Sequence, residues 1–147
     1  METALDRREP APAGFWIRLV AVVIDSIVIL TVQFLFGFVA GHVWGVELLE
    51  STLFYGVVTL FTVVFSGVYS VVLHAHEGQT LGKMLVNVRV EQVGGRPLSK
   101  STALWRWIAS WIAAMPLLLG FVLAGLRRDK RGLHDLLAGT RVVHATP

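Results

Sequence analysis

The apolar positions of this chain gather in three long runs separated by short polar stretches: Leu19 to Ala40, Thr52 to Leu73, and Leu104 to Leu126. A helix needs roughly 20 apolar residues, at 1.5 Å rise each, to cross a hydrocarbon layer about 30 Å thick. Each run is long enough, and each is too long for the core-facing element of a soluble domain. The first predicts a helix over Phe15 to Ala40, with Phe15 and Trp16 as an interfacial anchor and Gly37 and Gly41 near its close. The second predicts a helix over Thr52 to His74. Its small and hydroxylated residues, Gly56, Thr59, Ser66 or Gly67, and Ser70, fall at offsets that share one face, which favours close helix packing over a pore lining.

The pattern changes between Gly78 and Lys100. Leu85-Val86-Asn87-Val88-Arg89-Val90 alternates apolar with polar after Leu85 and predicts a half-exposed strand. Gly94-Gly95 marks a turn, and Pro97 and Ser99 lead into a helix start. Thr140-Arg141-Val142-Val143-His144 is a second strand-like segment, and the two are expected to pair outside the bilayer. Met1 to Gly14, with its Pro10-Ala11-Pro12-Ala13 stretch, reads as a mobile tail ahead of one domain spanning residues 15–147.

Charge then complicates the third run. The connection after the first helix holds Glu47 and Glu50 but no Lys or Arg, whereas Lys83, Arg89, Arg96 and Lys100 follow the second helix. The positive-inside rule places both ends of that hairpin, and so the N-terminus, in the cytoplasm. A simple third crossing would then carry Arg127, Arg128, Lys130, Arg131 and Arg141 to the outside. Either Leu104 to Leu126 is a kinked span that ignores the rule, or it enters as two half-helices broken by Pro116 and Gly120 and returns. The second reading keeps both basic segments cytoplasmic and is the one favoured. The expected fold is thus all-α and membrane-embedded: two transmembrane helices, a third kinked or re-entrant hydrophobic segment, and a small extramembrane strand pair.

Composition sharpens the class. Of 147 residues 54% are hydrophobic and 16% charged, with a mean hydropathy of +0.66, against about a quarter charged in soluble domains. The absence of cysteine excludes disulfides, thiolate metal sites and thiol nucleophiles. The net charge of +3 sits beside apolar spans, which points to topology and anionic headgroups rather than nucleic acid. The first run is too long for a signal-peptide core and is interrupted by Asp25, so it is expected to be retained.

Asp25 is the strongest chemical clue. A carboxylate read as lying halfway along a membrane helix costs about 2.5–3.5 kcal/mol on insertion scales, and needs a partner or a proton. It either locks helices together by hydrogen bonds or handles protons or cations. Arg18 lies seven residues earlier on the same helical face, about 10 Å of rise away, and is a candidate counter-charge through a bridging water or a second helix. Arg106, among Trp105, Trp107 and Trp111, is either an interfacial belt residue or a partner of Asp25 or Asp135. His134-Asp135, after a cation-rich loop, reads as structure docked at the membrane surface. His74, His76 and Glu77 have the composition of a metal cluster but lack a matching second pair, so no metal is expected. No nucleophile elbow, zincin signature, phosphate loop or dinucleotide fingerprint occurs, so neither catalysis nor a cofactor is expected.

Three motifs in order carry a resemblance: Gly14-Phe15-Trp16-Ile17-Arg18 through Asp25, Gln79-Thr80-Leu81-Gly82-Lys83, and Leu133-His134-Asp135 through Val143. Together they resemble the RDD family of bacterial membrane proteins, from about Gly14 to Val143. The family is named for an arginine and two aspartates, which by position are Arg18, Asp25 and Asp135. The resemblance implies a multi-pass inner-membrane protein, for which transport of ions or small solutes, including monovalent cation/proton exchange, has been suggested. Two functions follow as expectations. One is an oligomeric transporter of protons, monovalent cations or small solutes, using Asp25 with Arg18 and with Asp135, Arg106 and His134 nearby. The other is a non-catalytic accessory or scaffold protein whose Arg and Asp residues hold helices and subunits together.

Overall fold

The computed structural model describes residues 10–114 and 125–145. Two long helices dominate it. Helix α1 spans Phe15–Trp44 and α3 spans Thr52–Glu77, joined through the short α2, Val46–Leu49. Both are long and apolar enough to cross a membrane. Their outward positions, among them Ile27, Leu30, Phe34 and Phe38 on α1 and Leu53, Leu60 and Val64 on α3, are exposed. Faces so apolar and so little covered need a lipid solvent rather than water.

The hairpin is held by aromatic contact and local capping. Phe36 stacks on Phe61 at 4.6 Å between ring centroids, and Phe61, Phe65 and Tyr69 form an i, i+4 ladder along α3. Ser51 caps α3 by accepting the Phe54 N–H at 3.1 Å. The small-residue stripe predicted on α3 divides. Ser66 and Gly67 are buried, with Gly67 facing the Trp107 ring, while Gly56 and Thr59 are exposed.

All remaining described elements collect at the end of the hairpin holding the start of α1 and the finish of α3. Gly78, left-handed at φ 71, ends α3 and passes its carbonyl to the Val90 N–H at 2.7 Å. Helix α4, Leu81–Leu85, comes next, then β1, Val88–Gln92. The strand expected from Leu85 therefore begins three residues later. Leu85 closes α4, and Asn87 takes the left-handed φ of 55 that turns the chain into β1. The Gly94-Gly95 turn forms as predicted, both glycines at positive φ. Ser99 then starts α5, Lys100–Ala114, by accepting the Thr102 N–H.

The expected strand pair is present. β2, Thr140–His144, runs antiparallel to β1 with Val90 opposite Val142 and Glu91 opposite Arg141. Val88, Val90 and Val142 form a small core with Ala13, Leu98 and Ala103. Residues 10–14 depart from the expected mobile tail: Ala13 N–H donates to Val142 O and His144 N–H to Ala11 O, so this stretch borders β2. Residues 1–9 lie outside the described part.

The third apolar run is seen only at its ends. Its first part is α5; the predicted break at Pro116 and Gly120 lies outside the described residues. The chain nevertheless comes back to the end it left, since Gly125 packs beside Phe15 and the Lys130 carbonyl accepts a hydrogen bond from Arg18. The short α6, Leu133–Ala138, then leads into β2. Both basic segments thus sit at one end of the hairpin.

The tightest joint is between α4 and α1. A methyl group added at Gly82 would run into the Ala21 carbonyl oxygen and lie 2.9 Å from the Asp25 carboxyl carbon. Overpacking of this kind costs about 1–3 kcal/mol. We expect Gly82→Ala to lower the melting temperature in detergent by several degrees. Gly56→Ala, whose methyl meets nothing within 4 Å, should leave it unchanged or slightly raised; equal behaviour of the two variants would refute the close approach.

Candidate functional site

Two carboxylates organise the polar end of the molecule, and each has its own partners. Asp135, in the first turn of α6, is wholly buried. It accepts hydrogen bonds from Arg18 Nη1, from Arg106 Nη1 and from the Gly132 N–H at 3.1 Å. The last bond is half of a capping box and fixes the start of α6. Arg106 Nη1 also donates to Thr140 Oγ1 at 2.6 Å, and Arg18 Nε donates to the Ala13 carbonyl at 3.0 Å. One carboxylate therefore ties α1, α5, α6 and the head of β2 together. Burial alone would push its carboxyl pKa up, but the guanidiniums of Arg106 and Arg18 outweigh that and hold it far below the usual range.

Asp25 stands elsewhere and is satisfied differently. It is the eleventh residue of a 30-residue helix, about 15 Å from its start, so it lies a third of the way along rather than halfway. Tyr69 Oη donates to its Oδ1 at 2.6 Å, the Gly82 N–H donates to the same oxygen at 2.8 Å, and Thr80 Oγ1 donates to Oδ2 at 2.5 Å. Tyr69 in turn accepts the Leu81 N–H at 3.1 Å. The carboxylate therefore holds the first turn of α4 against α1 and α3. Arg18, expected as its counter-charge, turns instead to Asp135; 117 residues of separation hid that pairing from any reading of helix faces.

Between these two centres lies a cavity of about 220 Å³. Four of the five predicted site residues line it (Arg18, Asp25, Arg106 and His134), with Asp135 directly behind Arg18 and Arg106. Two residues that sequence reasoning treated otherwise also line it. Lys83, taken as a topology charge, sends its Nζ to His74 Nε2 at 2.7 Å. His74, weighed as a metal ligand, places Nδ1 2.7 Å from the Ser70 carbonyl. That pairing assigns the proton to Nδ1 and leaves Nε2 to accept from the lysine. The Lys83 stem is partly exposed, but its ammonium is enclosed; burial first, then the nearby Arg106, lowers its pKa to about 7. His134 is pushed down to about 3 by burial and Arg106. Only the Thr-Leu-Gly-Lys motif pointed to Lys83 beforehand.

The comparisons with known proteins agree in direction. The RDD family model matches residues 12–139. The uncharacterized protein YckC of Bacillus subtilis is 31% identical over 143 residues, covering 92% of this chain and 87% of its own length. The uncharacterized protein YxaI of the same organism is 28% identical over 148 residues, covering 90% of this chain and 97% of its own. No solved structure matches.

Asp135 and His134 make opposite demands that can be measured. Asp135→Asn leaves two buried guanidiniums facing a neutral amide, and breaking a buried pair this way costs about 3–5 kcal/mol. An unfolded histidine binds its proton near pH 6.5, whereas His134 in the fold does so only near 3. The unfolded state thus holds more protons between those values, and stability falls as pH is lowered through that window, by at most about 1.4 kcal/mol per unit. Asp135 adds to acid loss only below about pH 4. Melting curves from pH 7 to 4 should be flatter for His134→Gln than for the parent; an unchanged slope would rule out the buried neutral imidazole.

Proposed function

This chain belongs to the RDD family, and on that basis we propose that it is a multi-pass inner-membrane protein that binds and moves a small polar solute or ion through the cavity between α1, α3, α4 and α5. The observation that carries this reading is the convergence of Arg18, Asp25, Lys83, Arg106 and His74 on one half-open cavity beside two lipid-ready helices. Ionisable side chains at such depth are costly to keep and mark solute or proton pathways by default. The two long apolar helices among the described residues enclose too little for a secure pathway, so the working unit is an oligomer.

The collection of both basic segments at one end supports a cytoplasmic N-terminus and a third apolar run that returns to that side. Asp25, with three donors on its oxygens and Arg18 committed to Asp135, serves as a polarised wall of the cavity rather than a bare cation ligand. Proton-coupled movement of a solute fits that charge arrangement better than a stripped cation resting on Asp25.

A second reading has its own support. The Asp135 cluster fastens four elements, which is what a non-catalytic scaffold would require of its Arg and Asp residues. Flux in dye-loaded proteoliposomes under an imposed pH gradient separates the two. Transport predicts proton movement well above empty liposomes and at least a tenfold loss in Asp25→Asn that still reconstitutes as the parent does. Flux indistinguishable between parent, variant and empty vesicles, with another membrane subunit co-purifying in stoichiometric amount, would favour the scaffold.

A further inference from the structure

Counting the charged side chains around the cavity, with Lys83 protonated, leaves an imbalance. Arg18 and Asp25 face it from α1, Lys83 from α4 and Arg106 from α5, while Asp135 stands behind them on α6. Three cations thus meet two carboxylates, one positive charge in excess. The imidazoles do not correct this. His74 accepts from Lys83 through Nε2 while Nδ1 faces the Ser70 carbonyl, and His134 is held neutral by burial. Tyr69 uses its hydroxyl proton on Asp25. Arg131 adds a further cation close to Asp135, donating to the Asp135 and Thr140 carbonyls.

The two carboxylates are already occupied, Asp25 by three donors and Asp135 by four, so neither is open to Lys83 as a salt-bridge partner at hydrogen-bond distance. Lys83 carries three N–H donors and uses one of them on His74. Arg106, which also lines the cavity, uses Nη1 for both Asp135 and Thr140. An excess cation enclosed at low dielectric is unfavourable, and a lysine relieves it either by giving up its proton or by gaining a negative partner. About 220 Å³ holds several waters or one small organic ion.

We propose that this cavity is a binding site for a small oxyanion, of carboxylate or phosphate type, held between the Lys83 ammonium and the Arg106 guanidinium. The inference rests on the solute-site reading above and deepens it by naming the ligand's charge. A free anion and the phosphate of an anionic lipid headgroup share this chemistry, since basic pockets between membrane helices take either. Binding requires the protonated lysine, so affinity falls as pH rises past about 7, where Lys83 gives up its proton.

Isothermal titration of sodium acetate and of inorganic phosphate into the full chain, in nanodiscs of zwitterionic lipid at low salt, tests this. The expected result is saturable one-to-one binding at pH 6 that weakens at least tenfold at pH 9. Lys83→Met should abolish it. Lys83→Arg should keep it and remove the pH dependence, an outcome that a purely structural lysine would not produce. If discs containing anionic lipid suppress binding of the free anions, the headgroup is the occupant, and the site stands. Absence of saturable binding by either anion in zwitterionic discs, with no change on adding anionic lipid, overturns the proposal. So does undiminished binding in a Lys83→Met protein with the parent's melting temperature. Binding without flux would keep this site and remove the transport reading; proton flux without anion binding would do the reverse.

Discussion

A guanidinium cannot shed its charge at any working pH, so two of them brought into an apolar interior must meet an anion or prevent the structure from forming. Arg18 and Arg106 are both buried here, at 8% and 6% exposure, and the anion they share is Asp135. This constraint decides where the amphipathic half of the molecule can sit. Arg18 is in the first turn of the first long helix, Arg106 in the second turn of α5, and Asp135 in the first turn of α6. The three can meet only if α5 leaves and α6 returns at the same end of the helix hairpin. The strand pair then closes over that junction, with Thr140 contributing its hydroxyl to Arg106.

Asp25 depends on this arrangement without sharing in it. Once β1 and β2 pair, the segment after Gly78 is short enough to press α4 against α1, and the first turn of α4 delivers its donors to the carboxylate. Gly82 allows the approach because any side chain would strike the Ala21 carbonyl. The two acidic centres are thus separate locks on one assembly. The space between them is lined by α1, α3, α4 and α5. Lys83 enters that space without a carboxylate of its own, which makes the cavity electrostatically unfinished and directs attention to what could complete it.

Much of the frame was legible in the sequence because it rests on local pattern. Two runs of apolar residues became two long helices, the Gly94-Gly95 turn and the Ser99 helix start formed as read, and Thr140 to His144 became a strand paired with β1. Local conformation moved one boundary: Asn87 turns left-handed, so Leu85 and Val86 belong with α4 rather than with the strand. The site was legible as a set of residues and illegible as a set of contacts. Helix periodicity put Arg18 and Asp25 on one face, but a rise of about 10 Å separates them, and the real partners come from segments far along the chain. By charge alone Lys83 is one of several topology cations, and only its place in the Thr80-Leu81-Gly82-Lys83 motif sets it apart. The stretch around Pro116 and Gly120 lies outside the described residues, and the return of the chain is read from the contacts of Gly125 with Phe15 and of Lys130 with Arg18.

The claim that one carboxylate neutralises both arginines is tested most directly by a double-mutant cycle on Arg18 and Asp135, read as thermal stability of the full chain in detergent. Arg18→Met and Asp135→Leu should each be strongly destabilising, and the double variant should lose far less than the sum, because removing both charges leaves neither unpaired. Strict additivity, with the double variant as damaged as the two single losses together, would contradict the account and leave Asp135 without the central place given to it here.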